Sequence, residues 1–127
     1  MPKPATGRAH ASGPRLRVVI EPEVAIGPGK ADLLEAIRDT GSISAAGRKL
    51  GMSYRRAWLL VDELNQHLGA PVVEAQTGGA KGGGAALTAT GREVLDRYRN
   101  MEDACREAIA GDIQALRNLI RRNQRQK

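Results

Sequence analysis

The run Thr77-Gly78-Gly79-Ala80-Lys81-Gly82-Gly83-Gly84 packs five glycines and one lysine into eight residues. Such a run suits neither a helix interior nor a strand interior, because glycine loses more conformational freedom on ordering than any other residue. Short β-prone runs flank it: Val72-Val73-Glu74-Ala75 before, Ala85-Ala86-Leu87 after. A glycine-rich stretch alone is most often a linker. With these flanks, and with Thr88 or Thr90 placed to start a helix, the pattern predicts a β-hairpin with a flexible cationic tip. Glycine at such a tip permits positive φ and close approach to a phosphate, and Lys81 supplies charge. The phosphate-binding loop of nucleotide enzymes is excluded, since it needs Gly-Lys-Ser/Thr and Lys81 is followed by Gly82.

Upstream the apolar spacing is helical. Leu16 to Ile20 is β-prone and ends at Glu21-Pro22, and Gly27-Pro28-Gly29 closes that segment. A helix is predicted from Lys30 to Asp39, with Leu33, Leu34 and Ile37 as its stripe, stopped by Thr40-Gly41. Ser42 is a good N-cap for a second helix, Ile43 to Leu50, and Gly51 ends it in a left-handed C′ conformation. Ser53 caps a third, running to about Leu68 before Gly69-Ala70-Pro71. Ala45, Ala46 and Gly47 are small enough for two helices to touch, with Leu50 and Met52 to plug the corner. On the third helix Ala57, Val61, Leu64 and Leu68 fall within about 60° of one another and form the buried face. Arg55, Leu59, Asp62 and Gln66 lie opposite. After the hairpin, a fourth helix runs to about Ala110 with Val94, Leu95, Tyr98, Met101, Cys105, Ala108 and Ile109 as periodic apolar positions. Gly111-Asp112 offers a break, beyond which Ile113, Leu116, Leu119 and Ile120 have the spacing of a further amphipathic helix.

The fold class expected is therefore mainly α with a small β wing: a winged helix-turn-helix plus a long C-terminal dimerisation helix. The division expected is a disordered basic arm over 1–15, the winged domain with its dimerisation helix over 16–110, and a basic extension over 111–127. The chain has 127 residues, no Phe, one Trp and two Tyr, so its core must be aliphatic. A small aliphatic core is marginal alone, which favours a dimer that buries more surface. Cys105 is the only cysteine, so no intrachain disulfide forms, in keeping with a reducing cytoplasm. No apolar run approaches the ~18 residues of a membrane span, and the first fifteen residues lack the apolar stretch of a secretory signal.

The net charge of +6 favours an anionic partner, and its distribution says more. Lys3, Arg8, Arg15 and Arg17 open the chain without an acid, and Arg117, Arg121, Arg122, Arg125 and Lys127 close it against Asp112. Between them lies one inner island, Arg48, Lys49, Arg55 and Arg56, with no acid between Asp39 and Asp62. Arg55 and Arg56 sit in the first turn of the third helix, the part of a recognition helix that enters the major groove. There an arginine reaches phosphates or bonds bidentately to guanine, and the helix start at Ser53 can hold a phosphate. As solvated surface residues these arginines would need no explanation; the pattern around them favours DNA. The expected DNA-facing set is Ser42, Ser44, Arg48, Ser53, Tyr54, Arg55, Arg56, Lys81 and Gly82. The expected dimer interface is Val94, Leu95, Tyr98, Met101, Cys105 and Ile109. Trp58 reads as core or interface rather than as a base-stacking platform. His10 and His67 are isolated from each other and from Cys105, so no metal site, cofactor or catalytic dyad is expected, and the chain does not read as an enzyme.

Three ordered motifs carry a family resemblance: Gly41-Ser42-Ile43-Ser44-Ala45-Ala46, Gly51-Met52-Ser53-Tyr54-Arg55-Arg56-Ala57-Trp58, and Thr77 through Gly91. Over roughly 16–110 the chain resembles the N-terminal domain of molybdate-responsive ModE-type regulators, relatives of the LysR-type winged helix-turn-helix domains. The resemblance implies a homodimer that binds a palindromic double-stranded operator, usually represses molybdate-transport genes, and works in the cytoplasm. It places Ser53 to Arg56 at the start of the recognition helix and Lys81 at the wing tip. Full-length members of that family add paired molybdate-binding modules after the long helix. Residues 111–127 are too few for one, so what is expected here is the DNA-binding half alone. A second reading is an interaction module that uses the winged-helix fold to partner a full-length regulator.

Overall fold

Glycine and serine set most of the helix boundaries. The computed structural model describes residues 13–76 and 84–126. In chain order they form β1 (Val18–Glu21), β2 (Val24–Ile26), α1 (Pro28–Thr40), α2 (Ile43–Lys49), α3 (Tyr54–His67), β3 (Val73–Gln76), β4 (Gly84–Leu87) and α4 (Ala89–Arg125). Pro28 opens α1, where its missing N–H is no loss. Gly41 and Gly51, both at φ 72°, follow α1 and α2. Ser42, Ser53 and Thr88 cap α2, α3 and α4, accepting hydrogen bonds from the backbone N–H of Ala45, Arg56 and Gly91. Thr88, rather than Thr90, is thus the start of α4.

The core is aliphatic, as the composition requires. Leu33, Leu34 and Ile37 of α1 meet Ala46 of α2, Ala57, Val61 and Leu64 of α3, and Val72, Leu87, Leu95 and Tyr98. Gly47 makes the α2–α3 corner: a Cβ there would stand 3.3 Å from the Met52 carbonyl and 3.4 Å from Ala57 Cβ. Of the small residues expected at this corner, Ala46 and Gly47 are buried and Ala45 is half-buried.

Two antiparallel hairpins flank the helices. β3 and β4 pair from Val73 opposite Leu87 to Gln76 opposite Gly84, which is the base of the expected hairpin; its tip, with Lys81 and Gly82, lies outside the described residues. β1 and β2 form the other pair, Val18 opposite Ile26, where the sequence pointed only to the first strand. The β3–β4 base is fastened at both ends. Ala85 N donates to Gly41 O at 2.9 Å, and Thr88 N donates to Val72 O at 3.0 Å. At Gly91 the α4 backbone passes so close to Val72 that a Cβ would fall 2.0 Å from its carbonyl oxygen.

α4 departs from expectation in length. It runs unbroken for 37 residues, about 55 Å, straight through Gly111 and Asp112. A helical glycine costs only about 1 kcal/mol relative to alanine, and the helix-forming residues on either side outweigh it.

Candidate nucleic-acid interface

α3 is positioned by its buried side. Ala57, Val61 and Leu64 lock into the core, with Leu68 packed at its edge, so the first turn of α3 turns Tyr54, Arg55 and Arg56 outward. All three are exposed. Among the described residues the Arg55 and Arg56 guanidinium groups enter no hydrogen bond or ion pair. Ser53 is occupied locally, its hydroxyl accepting from Arg56 N at 3.1 Å. α2 brings a second set to the same corner. Arg48 Nη1 donates to Ser44 Oγ at 2.8 Å, and Ala45 N donates to Ser42 Oγ at 3.0 Å. Ser42, Ser44, Tyr54, Trp58 and Gly84 line one cleft between α2, α3 and the hairpin base. The structure therefore gathers Ser42, Ser44 and Tyr54 around one opening, with Arg48, Arg55 and Arg56 exposed on the same helix pair. Lys81 and Gly82 fall outside the described residues.

Trp58 is not in the core. It is 44% exposed and meets Tyr54 edge to face, ring centroids 6.3 Å apart and planes at 79°. The wheel that groups Ala57, Val61 and Leu64 puts Trp58 about 100° from Ala57, outside the buried face, which removes the core half of the expectation and leaves the interface half.

The α4 stripe splits. Leu95 and Tyr98 are fully buried within the protomer; they are core residues, and no surface remains at them for a partner, which corrects their expected place in a dimer interface. Val94 and Met101 are half-buried against that core, and Cys105 and Ile109 further along are half-buried. Beyond Gly111, Leu116, Leu119 and Ile120 are exposed.

A charge cluster missed by sequence reading ties α4 to α1. Arg99 Nε donates to Glu35 at 3.0 Å, Nη1 to Glu102 at 2.8 Å and Nη2 to Asp32 at 2.9 Å. Burial works against the guanidinium charge, but the bonds to Asp32 and Glu102 outweigh it and hold Arg99 above its usual range. Burial also lifts the Asp32 carboxyl above its ordinary value, against the pull of Arg99. At the surface, the Lys30 ammonium bonded to Glu63 lowers that carboxyl. Asp32, Glu35 and Glu102 are thus engaged where α1 meets α4, while Glu63 on α3 pairs with Lys30 and also feels the Arg56 charge.

Residues 30–92 match the bacterial regulatory helix-turn-helix proteins of the LysR family. The molybdenum-pterin-binding protein MopB of Rhodobacter capsulatus is 48% identical over 77 residues, covering 61% of this chain and 28% of that protein. The molybdenum transport protein ModE of Azotobacter vinelandii is 36% identical over 99 residues, covering 69% and 37%. The chain therefore spans well under half the length of these curated relatives. Among solved structures, the DNA-binding domain of CbnR in complex with DNA superposes with a TM-score of 0.52 at 21% identity, over 70% of this chain and 94% of that one. That likeness is one of fold: a winged helix-turn-helix followed by a long helix.

Proposed function

We propose, for a chain whose residues 30–92 match the LysR-family helix-turn-helix proteins and which resembles the N-terminal domain of ModE-type regulators, that it binds double-stranded DNA sequence-specifically as a dimer and regulates transcription. The observation that carries this reading is α3. Its core face is sealed, and its first turn presents Arg55 and Arg56 exposed to solvent. Arginines so placed reach both phosphates and the guanine edge. Ser42, Ser44, Arg48, Ser53 and Tyr54 surround them, and Lys81 and Gly82 at the wing tip are proposed to touch backbone. The dimer contact is assigned to the α4 surface that the protomer leaves open: Val94, Met101, Cys105 and Ile109, continuing to Leu116 and Ile120. A two-fold pair would set the recognition helices about 34–36 Å apart, or a multiple of that. Molybdenum-linked regulation belongs to the same proposal, supported by the similarity to the molybdenum-pterin-binding protein MopB and the molybdenum transport protein ModE.

The test is binding of the purified chain to a random pool of duplex DNA across a salt series. Selective recovery with a steep salt dependence, a log–log slope of about −0.9 per phosphate contact, is the expected result. Arg55→Ala or Arg56→Ala should each cost roughly 1–3 kcal/mol on the selected site if it contacts a base, and Lys81→Ala should weaken all sequences alike. Affinity that is flat with salt, or equal for selected and random duplexes, refutes the reading. The interaction-module reading predicts no salt-dependent duplex affinity at all.

A further inference from the structure

Tyr54 and Trp58 stand one helical turn apart on α3, 57% and 44% exposed, packed against each other edge to face. Two large rings side by side at a domain surface mark a contact site more often than chance exposure does. Their setting narrows the occupant. They lie in the first half of the helix proposed to enter a major groove. Arg55 and Arg56 interleave with them in sequence, and Arg48 lies on the neighbouring helix. No acid occurs between Asp39 and Asp62; Asp62, one turn beyond Trp58, accepts from Gln66, and the cations at 48–56 make the N-terminal end of this surface attractive to a polyanion. The apolar group that a base pair exposes in the major groove is the C5-methyl of thymine; the rest of the floor is hydrogen-bond donors and acceptors.

We propose that Tyr54 and Trp58 form a methyl-reading surface, which selects thymine at one or two positions of each half-site by apolar contact with its C5-methyl group. The proposal rests on the duplex-DNA reading above and adds a specificity determinant to it. The arginines supply phosphate and purine contacts, and the ring pair supplies discrimination that hydrogen bonding does not. By chemistry the same surface accepts 5-methylcytosine in place of thymine at the methyl and rejects unmethylated cytosine there.

Deoxyuridine tests this directly, because it differs from thymidine only by the methyl group and keeps the hydrogen-bonding edge. A duplex selected from the random pool is resynthesised with deoxyuridine replacing thymidine one position at a time. The 127-residue chain should lose about threefold to fivefold in affinity at each methyl that is read, the worth of one buried methyl-sized group, and nothing elsewhere. Trp58→Ala should bind the thymine and uracil duplexes equally at those positions while keeping its salt dependence. Trp58 is the only tryptophan, so its fluorescence reports on the site without a label. The emission change on binding should be larger for thymine than for uracil duplexes. The thymine–uracil comparison uses the unaltered protein and stands even if Trp58→Ala folds poorly. Selective duplex binding with indifference to deoxyuridine at every position overturns the methyl-reading surface alone. Absence of selective duplex binding, or tighter binding of single strands through base stacking, overturns both proposals.

Discussion

Two residues on α4 show how much depends on single atoms here. Gly91 passes Val72 at a distance that leaves no room for a methyl group. Gly91→Ala should therefore destabilise the protein by roughly 3 kcal/mol or more, since the clash is with backbone and not with a side chain that can swing away. Thermal unfolding of the variant beside the native chain measures it. Tyr98 is the other. Burial first, and then the Glu102 charge, push its phenol up to about 12, and its hydroxyl donates to Leu16 O across the sequence. Below its ordinary value of about 10 the phenol is neutral in folded and unfolded chains alike. Between about pH 10 and 12 the unfolded chain ionises while the folded one does not. Stability from this group is thus present up to pH 10 and lost as pH rises toward 12. Urea titrations across that window should show the decline, and Tyr98→Phe should lack this part of it.

The elements divide by how local their determinants are. α2 and α3 were readable because Ser42, Ser53 and Gly51 act within a few residues of where they stand, and the Ala57–Val61–Leu64 face is a plain helical period. The base of the β3–β4 hairpin was readable from its flanks. Three features were not. β2 has only the residues Val24–Ile26, too few to show alternation. The Arg99 cluster joins residues 64 and 67 positions apart in sequence, a coincidence that no window reveals. The division of the α4 stripe into a buried half and an open half depends on where α1 and the hairpin base lie against it. That division changes which variants test assembly. Leu95→Asp would place a charge in the core and unfold the protomer. Leu116→Asp with Ile120→Asp alters only exposed positions; it should leave the thermal transition of the domain close to native while shifting sedimentation from dimer to monomer. An unaltered chain that sediments as a monomer at micromolar concentration would rule the proposed dimer out.

At the level of the whole molecule, three of the four described helix starts are occupied by their own side-chain caps, and α1 starts at Gly27 without one. The hydroxyls of Ser42, Ser53 and Thr88 each accept a backbone N–H of their own helix. A tetrahedral oxyanion needs several converging donors, and these starts lie on separate helices. Calorimetry of the 127-residue chain with molybdate should accordingly show no saturable one-to-one binding at micromolar concentration; such binding, with sulfate unable to compete, would reveal a sensor site. Among the described residues no helix is long and apolar enough to cross a membrane. The long helix has a different kind of dependence. From Gly111 to Arg125 it has almost no buried surface of its own, and an isolated segment of that length is only marginally helical in water. Its backbone amides are therefore guarded mainly by whatever lies against them. If a second copy does so, hydrogen exchange along 111–125 should slow as protein concentration rises while exchange in α1 and α3 stays constant, and the far end of the helix becomes a built-in gauge of how much of the protein there is.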